Sequence, residues 1–221
     1  MGSQGVMPLD IFGKPREVLI GCILGDGYLQ KTGKRNARLR LEHQESQKDY
    51  LLWKIKWLKR IFQGKPKRIE RIHPKTGKKS VFWRHQSQSM PYLGKLRKLF
   101  YENGKKRIPE KIEKWFSPLS LAVLYMDDGY IDWRKKAKAM VISLAGFEKK
   151  DVEVLKRIIE KKFNIFPRIH KEKKGWRLYF PQKEAEKLAS LIKPYILPLF
   201  SYKLPDPVTT SPENGREPEG K

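Results

Sequence analysis

The sequence predicts an α+β protein made of two similar halves, each running helix, strand, strand, helix, strand, strand, helix. The first observation is an apolar run ending in Gly-Asp-Gly at residues 25–27, matched by a second run ending in Asp-Asp-Gly at residues 127–129. Similar strand-like and helix-like segments follow each run. Each half also closes on a lysine shortly before a proline, at residues 106–109 and 203–205. Because a duplicated unit tends to pair with its copy face to face, we expect pseudo-two-fold symmetry.

The first half alternates between the apolar period of a helix and the two-residue period of a strand. Residues 37–44 are the clearest strand, because apolar side chains alternate with an unusually basic polar face. One early strand in each half is not separately resolved by the pattern. The predicted elements are an apolar helix from Arg16 to the turn at Gly25, a strand at 37–44, an amphipathic helix at 48–62, strands at 67–73 and 80–88, and a helix at 92–101.

The second half begins with Ser117 as an N-cap and Pro118 at the first helical position. Its predicted elements are an apolar helix at 119–126, a strand at 139–144, a helix at 149–163, strands at 165–170 and 176–180, and a helix at 183–192. The chain is therefore divided into an N-terminal arm (1–15), a first half (16–109), a linker (110–117), a second half (118–205) and a polar tail (206–221) that we expect to be disordered.

The net charge of +25 predicts a polyanionic partner. The predicted tail carries more acidic than basic residues, so the excess lies on the two halves, where four separate basic stretches would suit a long row of phosphates. Each phosphate contact would lower log K by about 0.9 per decade of salt. The alternative is a lysine-rich solvated surface, as in thermophilic proteins. A membrane surface is disfavoured, because no basic amphipathic helix stands apart from the fold.

Composition excludes several other classes of protein. An aromatic content of 11% allows a sizeable core and argues against a disordered basic tail. The longest apolar stretch, residues 18–25, is far shorter than the roughly 20 residues of a membrane span. Cys22 is the only cysteine, which excludes disulfide frameworks and multi-cysteine zinc sites. With no signal-peptide pattern at the start, we expect an intracellular protein in the cytoplasm, nucleoid or an organelle matrix.

Asp26 and Asp128 lie at the ends of the two apolar helices, where the helix carbonyls already carry partial negative charge. One interpretation is a turn-forming Asp-Gly pair, tolerated at a small cost. The other is a cation between the two helices, since packing side by side would bring both carboxylates to one point. Ligation by oxygen without histidine suits Mg²⁺, Mn²⁺ or Ca²⁺ better than Zn²⁺.

Residues 19–27, LIGCILGDG, and residues 121–129, LAVLYMDDG, resemble the LAGLIDADG motif of homing endonucleases. Two copies in one chain are typical of the single-chain, two-motif branch, and the resemblance covers about residues 16–205. The sequence departs from the motif in two ways. Val123 and Asp127 replace its small Gly and Ala, and Leu24 and Met126 replace its first Asp.

The resemblance implies a saddle of two antiparallel sheets over DNA, with the motif helices at the interface between the halves. It implies metal ligation by Asp26 and Asp128, assisted by the backbone carbonyls of Gly25 and Asp127, whereas the Asp127 side chain stands at the motif's Ala position. The basic residue before each closing proline implies Lys106 and Lys203 as active-site lysines. Aligning the prolines of the two halves leaves Arg107 as an alternative to Lys106.

We therefore predict a monomeric homing endonuclease that uses Mg²⁺, or Mn²⁺ or Ca²⁺ in the same site, to break both strands of a long asymmetric DNA site. DNA contacts are expected from the polar faces of the strands and from the basic stretches. The predicted DNA-binding residues are Arg38, Arg40, Glu42, Gln44, Arg68, Arg71, Arg84, Gln86, Gln88, Arg134, Lys138, Arg168, His170, Arg177 and Tyr179.

Two alternatives remain open at this point. A LAGLIDADG-type intron maturase would bind intron RNA, and a regulator that has lost catalysis would bind nucleic acid only. A different nuclease class would use a D…E-x-K core, but lysine is so abundant that chance accounts for the matches at Glu148 and Glu172.

Overall fold

The computed structural model describes residues 11–133 and 138–205. The predicted tail, most of the predicted arm and the predicted DNA contact Arg134 lie outside these residues. The first half contains α1 (Lys14–Leu24), β1 (Tyr28–Lys31), β2 (Ala37–Gln44), α2 (Lys48–Trp57), β3 (Lys67–Ile72), β4 (Lys79–Gln86), α3 (Pro91–Phe100) and a short ribbon of β5 (Tyr101–Glu102) and β6 (Lys105–Lys106). The second half contains α4 (Pro118–Asp128), β7 (Gly129–Asp132), β8 (Ala139–Ser143), α5 (Lys149–Phe163), β9 (Arg168–Glu172), β10 (Gly175–Phe180) and α6 (Gln182–Ile192).

The two halves share one topology. Their antiparallel sheets have the strand orders β1-β2-β4-β3 and β7-β8-β10-β9. The early strands that the sequence pattern did not resolve are β1 and β7, each directly after a motif helix. The predicted helix at 48–62 is shorter in the structure, because α2 ends at Trp57. The predicted α+β class and the element order of each half are confirmed.

The first sheet buries one face and leaves the other polar, whereas β8 of the second sheet is buried on both sides from Ala139 to Ile142. Along β2 the buried residues Leu39, Leu41 and His43 alternate with partly exposed ones, which is the alternation that the sequence predicts. In the second sheet Met140 and Ile142 of β8 join the main core. No helix within residues 11–133 and 138–205 is long and apolar enough to cross a bilayer.

Helices α1 and α4 pack against each other at the centre of the molecule, where Val123 lies opposite Gly21 of α1 and Asp127 lies opposite Gly25, directly after α1. A Cβ atom built on Gly21 would lie 2.6 Å from Val123 Cβ, and one built on Gly25 would lie 2.7 Å from Asp127 Cβ. Val123 and Asp127 fill the positions where the motif has small residues, and each of them lies opposite a glycine. Gly21 and Gly25 leave the space between the helices that the Val123 and Asp127 side chains occupy.

The N-terminal ends of these helices are joined by hydrogen bonds around Glu17. Ser117 Oγ accepts from Ser120 N–H, as predicted for an N-cap, and donates to Glu17 Oε2 at 2.7 Å. Ser120 Oγ donates to the Glu17 carbonyl at 2.8 Å. The helix pair is thus fixed at the end opposite to the two acidic residues.

Candidate active site and nucleic-acid interface

The two motif acids have different backbone environments. Helix α4 continues through Asp128, whereas α1 ends at Leu24, two residues before Asp26. Beyond that end, Gly25 N–H donates to the Gly21 carbonyl and Gly27 N–H donates to the Cys22 carbonyl. The Asp26 N–H donates instead to Asp127 Oδ2, at 3.1 Å, across the interface between the helices.

Two lysines contact the same two helix ends. Lys106 Nζ donates to the Gly25 carbonyl at 2.6 Å, and Lys203 Nζ donates to the Met126 carbonyl at 2.7 Å. Burial lowers the pKa of both lysines, although the nearby carboxylates oppose this shift. Arg107, the alternative to Lys106, pairs with Glu102 at the surface. The structure therefore places Lys106 at the site, opposite Lys203.

The three carboxylates at this point differ in their protonation equilibria. Burial, followed by the charges of Asp26 and Asp127, raises the pKa of Asp128 to about 7. Burial and the Asp127 charge also raise the pKa of Asp26. Burial works against ionisation of Asp127 too, yet its pKa is lowered because the Lys54 ammonium lies against it. Asp127 is therefore the carboxylate whose charge is already compensated by the protein.

The buried partners of Asp127 are the feature of the candidate site that sequence reasoning missed. Lys54 Nζ donates to Asp127 Oδ1 at 2.7 Å, and both side chains are fully buried. Tyr50 OH donates to the same oxygen at 2.8 Å. Lys54 Nζ also lies 3.0 Å from His43 Nε2. A sequence signal existed, because Lys54 falls at the i+4 position after Tyr50 and before Leu58, on the apolar face of its helix.

Asp26, His43 and Asp127 form a cluster whose potential ligand atoms all lie within 4.8 Å of one another. The Lys54 ammonium already compensates Asp127, so this trio is not by itself a cation site. The carboxylates with raised pKa values are those of Asp26, whose side chain is 46% exposed, and of Asp128, where burial is the first cause and the charges of Asp26 and Asp127 are the second. The oxygen donors at the two helix ends therefore fit a hard divalent cation.

In the first sheet, the register places most of the predicted DNA contacts on one polar face. Arg40 pairs with Gln86 and Glu42 pairs with Arg84, so these four side chains share that face, and by strand alternation Arg38 and Gln44 belong to it as well. A cavity of about 460 Å³ extends along it from Asp26 to Gln44 and Phe82. Gln88 lies just beyond β4, where its N–H donates to the Ile61 carbonyl.

Two arginines of this face are held by one glutamate. Arg71 Nη2 and Arg84 Nε each donate to Glu42 at 2.5 Å. Arg68 differs from its neighbour Arg71: it pairs across the ladder with Trp83, on the opposite side of the sheet. There it forms ion pairs with Glu70 and Glu45, so it does not share the polar face on which Arg71 and Arg84 lie.

In the second sheet, all four predicted contacts share one face. Arg177 pairs with His170 and Tyr179 pairs with Arg168 in the ladder, and the His170 and Tyr179 rings stack at 4.7 Å. Arg177 Nη1 donates to Glu172 Oε1 and to Tyr130 OH, both at 3.0 Å. A glutamate therefore orients an arginine on this face too. Lys138 Nζ lies 4.9 Å from the centre of the Trp133 ring.

Comparison with known proteins gives consistent matches. Residues 16–188 match the model of the LAGLIDADG DNA endonuclease family. The chain is 35% identical to "Probable intron-encoded endonuclease 1" of Wickerhamomyces canadensis, over 85% of this chain and 82% of that protein. It is 29% identical to "Cytochrome b mRNA maturase bI2" of Debaryomyces hansenii, over 85% of this chain and 72% of that protein.

Among solved structures, the homing endonuclease I-WcaI bound to its DNA recognition sequence superimposes with a TM-score of 0.80. The two sequences are 32% identical, and the match covers 88% of each chain. The resemblance inferred from the two motifs, the predicted fold and the prediction of a DNA endonuclease are thereby confirmed. The chain belongs to the LAGLIDADG DNA endonuclease family.

Proposed function

We propose that this chain cleaves both strands of a long asymmetric DNA site as a monomer, with Asp26 and Asp128 as its metal ligands. The observation that carries this proposal is the meeting of Asp26, Asp128, Lys106 and Lys203 at the ends of α1 and α4. Asp26 lies close enough to Asp128 to raise its pKa. The two polar sheet faces flank this point and supply the surface for DNA.

The donor set favours Mg²⁺, and Mn²⁺ or Ca²⁺ would occupy the same oxygen site. Asp26 and Asp128 are the proposed side-chain ligands, and the carbonyls of Gly25 and Asp127 are the proposed backbone ligands. A bound divalent ion supplies a more acidic water and neutralises negative charge on the phosphate. The ion would also relieve the repulsion that raises the pKa of Asp128.

Lys106 and Lys203 are proposed to stabilise charge at the reacting phosphates. An ammonium has three donors, and each lysine gives one to the carbonyl of a motif helix, which fixes its position. The remaining N–H groups are available to a phosphate oxygen or to the attacking water. Tyr125 OH supports this arrangement by donating to the Lys203 carbonyl at 2.7 Å.

The two sheet faces are proposed to read different sequences, because their side chains differ. The first carries Arg40, Arg84 and Gln86, and the second carries Arg177 and His170. Arginine pairs with guanine and glutamine with adenine in the major groove, each pair being worth about 1–3 kcal/mol of discrimination. An unequal pair of reading surfaces accounts for an asymmetric site.

The test is cleavage of a randomised plasmid library with Mg²⁺, by wild type and by the variants Asp26→Asn and Asp128→Asn. Wild type is expected to linearise plasmids that share one long motif, and each variant is expected to lose at least 100-fold in rate. Variants that cut as fast as wild type would show that the active site lies elsewhere. Asp49→Asn, which neutralises an exposed carboxylate on α2, is the matched control.

The name of the maturase relative supports a second activity, binding of intron RNA. The same preparations should be titrated with a structured intron RNA and with a duplex of the selected site. If wild type cuts no sequence and binds the RNA tightly, the maturase function replaces the nuclease function. Cleavage together with tight RNA binding would indicate both.

A further inference from the structure

We propose that Asp127, held by Lys54 and Tyr50, is a positioning residue that fixes Asp26 for cleavage of one of the two DNA strands. This inference rests on the proposed role of Asp26 as a metal ligand. It assigns a task to the buried side chains that the mechanism above leaves unused, and it requires no ligand of its own.

The first step concerns the backbone at the end of α1. Gly25 N–H reaches back to Gly21, and Gly27 N–H reaches back to Cys22, which is five residues away rather than four. This pattern skips the Asp26 N–H, which is therefore free to donate outside its own helix. Asp127 Oδ2 accepts it at 3.1 Å. The main chain that carries the proposed metal ligand is thus held by a residue of the other half.

The second step concerns the carboxylate of Asp127, which has a donor on every side. Oδ1 accepts from Lys54 Nζ and from Tyr50 OH, while Oδ2 accepts from Lys54 Nζ at 3.0 Å and from Asp26 N–H. The Asp127 and Lys54 side chains are completely shielded from solvent. With four hydrogen bonds from three residues, the carboxylate has little freedom to rotate.

The third step follows the network to the Asp26 side chain itself. Lys54 Nζ is 3.0 Å from His43 Nε2, so that nitrogen is the acceptor and the proton of the neutral ring is on Nδ1. His43 Nδ1 is 3.2 Å from Gln47 Oε1 and 3.9 Å from Asp26 Oδ2. The ring therefore lies beside the Asp26 carboxylate, and the same network contacts both the backbone and the side chain of Asp26.

The fourth step is that pseudo-symmetry is broken at this point. The position that corresponds to Asp127 is Gly25, directly after α1, which has no side chain to reach toward the second half. Asp128, in contrast, is part of the continuous helix α4. Within residues 11–133 and 138–205, Asp26 is the motif acid whose N–H donates across the interface, so loss of the network should slow the strand served by Asp26 more than the strand served by Asp128.

The experiment compares two double variants that differ only at residue 127, where asparagine has one carbonyl oxygen that can accept a hydrogen bond and leucine has none. Lys54→Met/Asp127→Asn and Lys54→Met/Asp127→Leu both remove the buried charge pair, and asparagine and leucine have similar shapes. Rates are measured in single turnover on a duplex of the selected site, with each strand end-labelled separately. DNA affinity in EDTA and the melting temperature are measured in parallel, and Asp26→Asn is the benchmark for loss of the ligand.

The leucine variant is expected to cut at least tenfold more slowly than the asparagine variant, with DNA affinity within twofold, and to accumulate DNA nicked in one strand. Equal rates for the two double variants, or equal slowing of both strands, would overturn the positioning role. If the leucine variant does not fold, Tyr50→Phe removes a single donor to Asp127 and should slow the same strand three- to tenfold; a wild-type rate there overturns the proposal. If Asp26→Asn cuts at the wild-type rate, the proposed metal site fails instead.

Discussion

The raised pKa of Asp128 predicts that Asp128→Asn stabilises the metal-free protein while it abolishes cleavage. In the folded protein this carboxyl has a pKa of about 7, whereas its ordinary value is 3.8. Below pH 3.8 the group is protonated in both the folded and the unfolded states and has no effect on stability. Between pH 3.8 and 7 the unfolded chain releases a proton that the folded protein still holds, so the free energy of unfolding falls as pH rises. Above pH 7 the Asp128 carboxylate is ionised in both states, and the full free-energy cost of holding that charge in the folded protein is present.

The magnitude follows from the difference in pKa. At 1.36 kcal/mol for each pKa unit, the cost of ionising Asp128 in the folded protein approaches about 4 kcal/mol at pH 8. Because Asp128 is partly exposed and titrates together with Asp26, we expect about 2 kcal/mol after allowing for solvent screening. In a chain of this length, about 2 kcal/mol corresponds to a change in melting temperature of about 4–8 °C.

The assay is thermal unfolding in EDTA from pH 5 to pH 8.5, followed by circular dichroism. Asp128→Asn should melt several degrees above wild type at pH 8, and the difference should shrink toward pH 5. Mg²⁺ at pH 8 should raise the melting temperature of wild type and have less effect on the variant, because ligand binding stabilises the folded state. Parallel pH profiles for the two proteins would refute the reasoning, and Asp49→Asn should follow wild type throughout.

Three further predictions concern the interface and the DNA surface. Gly21→Ala should destabilise the protein by about 1–3 kcal/mol by chemical denaturation, because the added Cβ would lie 2.6 Å from Val123 Cβ and 2.7 Å from the Ser120 carbonyl oxygen, and this overpacking outweighs the gain in helix propensity; Val123→Ala in the same chain should not restore the loss, because alanine keeps the Cβ, and full rescue would contradict the packing. Glu42→Gln should relax base selectivity near Arg84 by about 1 kcal/mol in a site-selection experiment, and an unchanged preference would show that Glu42 does not orient the arginine. Arg168→Gln should reduce the slope of log K against log salt by about 1, whereas an unchanged slope would show that Arg168 contacts no phosphate.

The packing of α1 against α4 shows where local pattern is sufficient and where it is not. Apolar runs that end in Gly-Asp-Gly and Asp-Asp-Gly identify both motif helices, because a buried helix pair requires apolar residues on nearly every position. The spacing alone does not show that Gly21 lies opposite Val123, or Gly25 opposite Asp127. That complementarity depends on the relative rotation and translation of two helices from different halves.

The DNA surface gives a similar contrast. Alternation in a strand predicts which residues share a face, and it groups Arg168, His170, Arg177 and Tyr179 correctly, because side chains in a strand point alternately to opposite sides. Alternation places Arg68 and Arg71, three residues apart, on opposite faces of β3, but it does not show which of them shares the face of Arg84, since this edge strand is exposed on both sides and has no apolar pattern to set its register. The pairing of β3 with β4 decides that Arg71, and not Arg68, lies on the face of Arg84.

What the sequence by itself determined is the duplicated α+β architecture, the two motif acids, the closing lysines and the basic charge, since each is a local pattern or a composition. Only the tertiary structure decided that Lys106 rather than Arg107 contacts a motif helix, because that depends on the path of the chain after β6. Only the tertiary structure also revealed the task of Lys54, which looks like one more lysine in a lysine-rich chain. Its carboxylate partner is 73 residues away, and a buried charge acquires its role from the partner that folding brings to it.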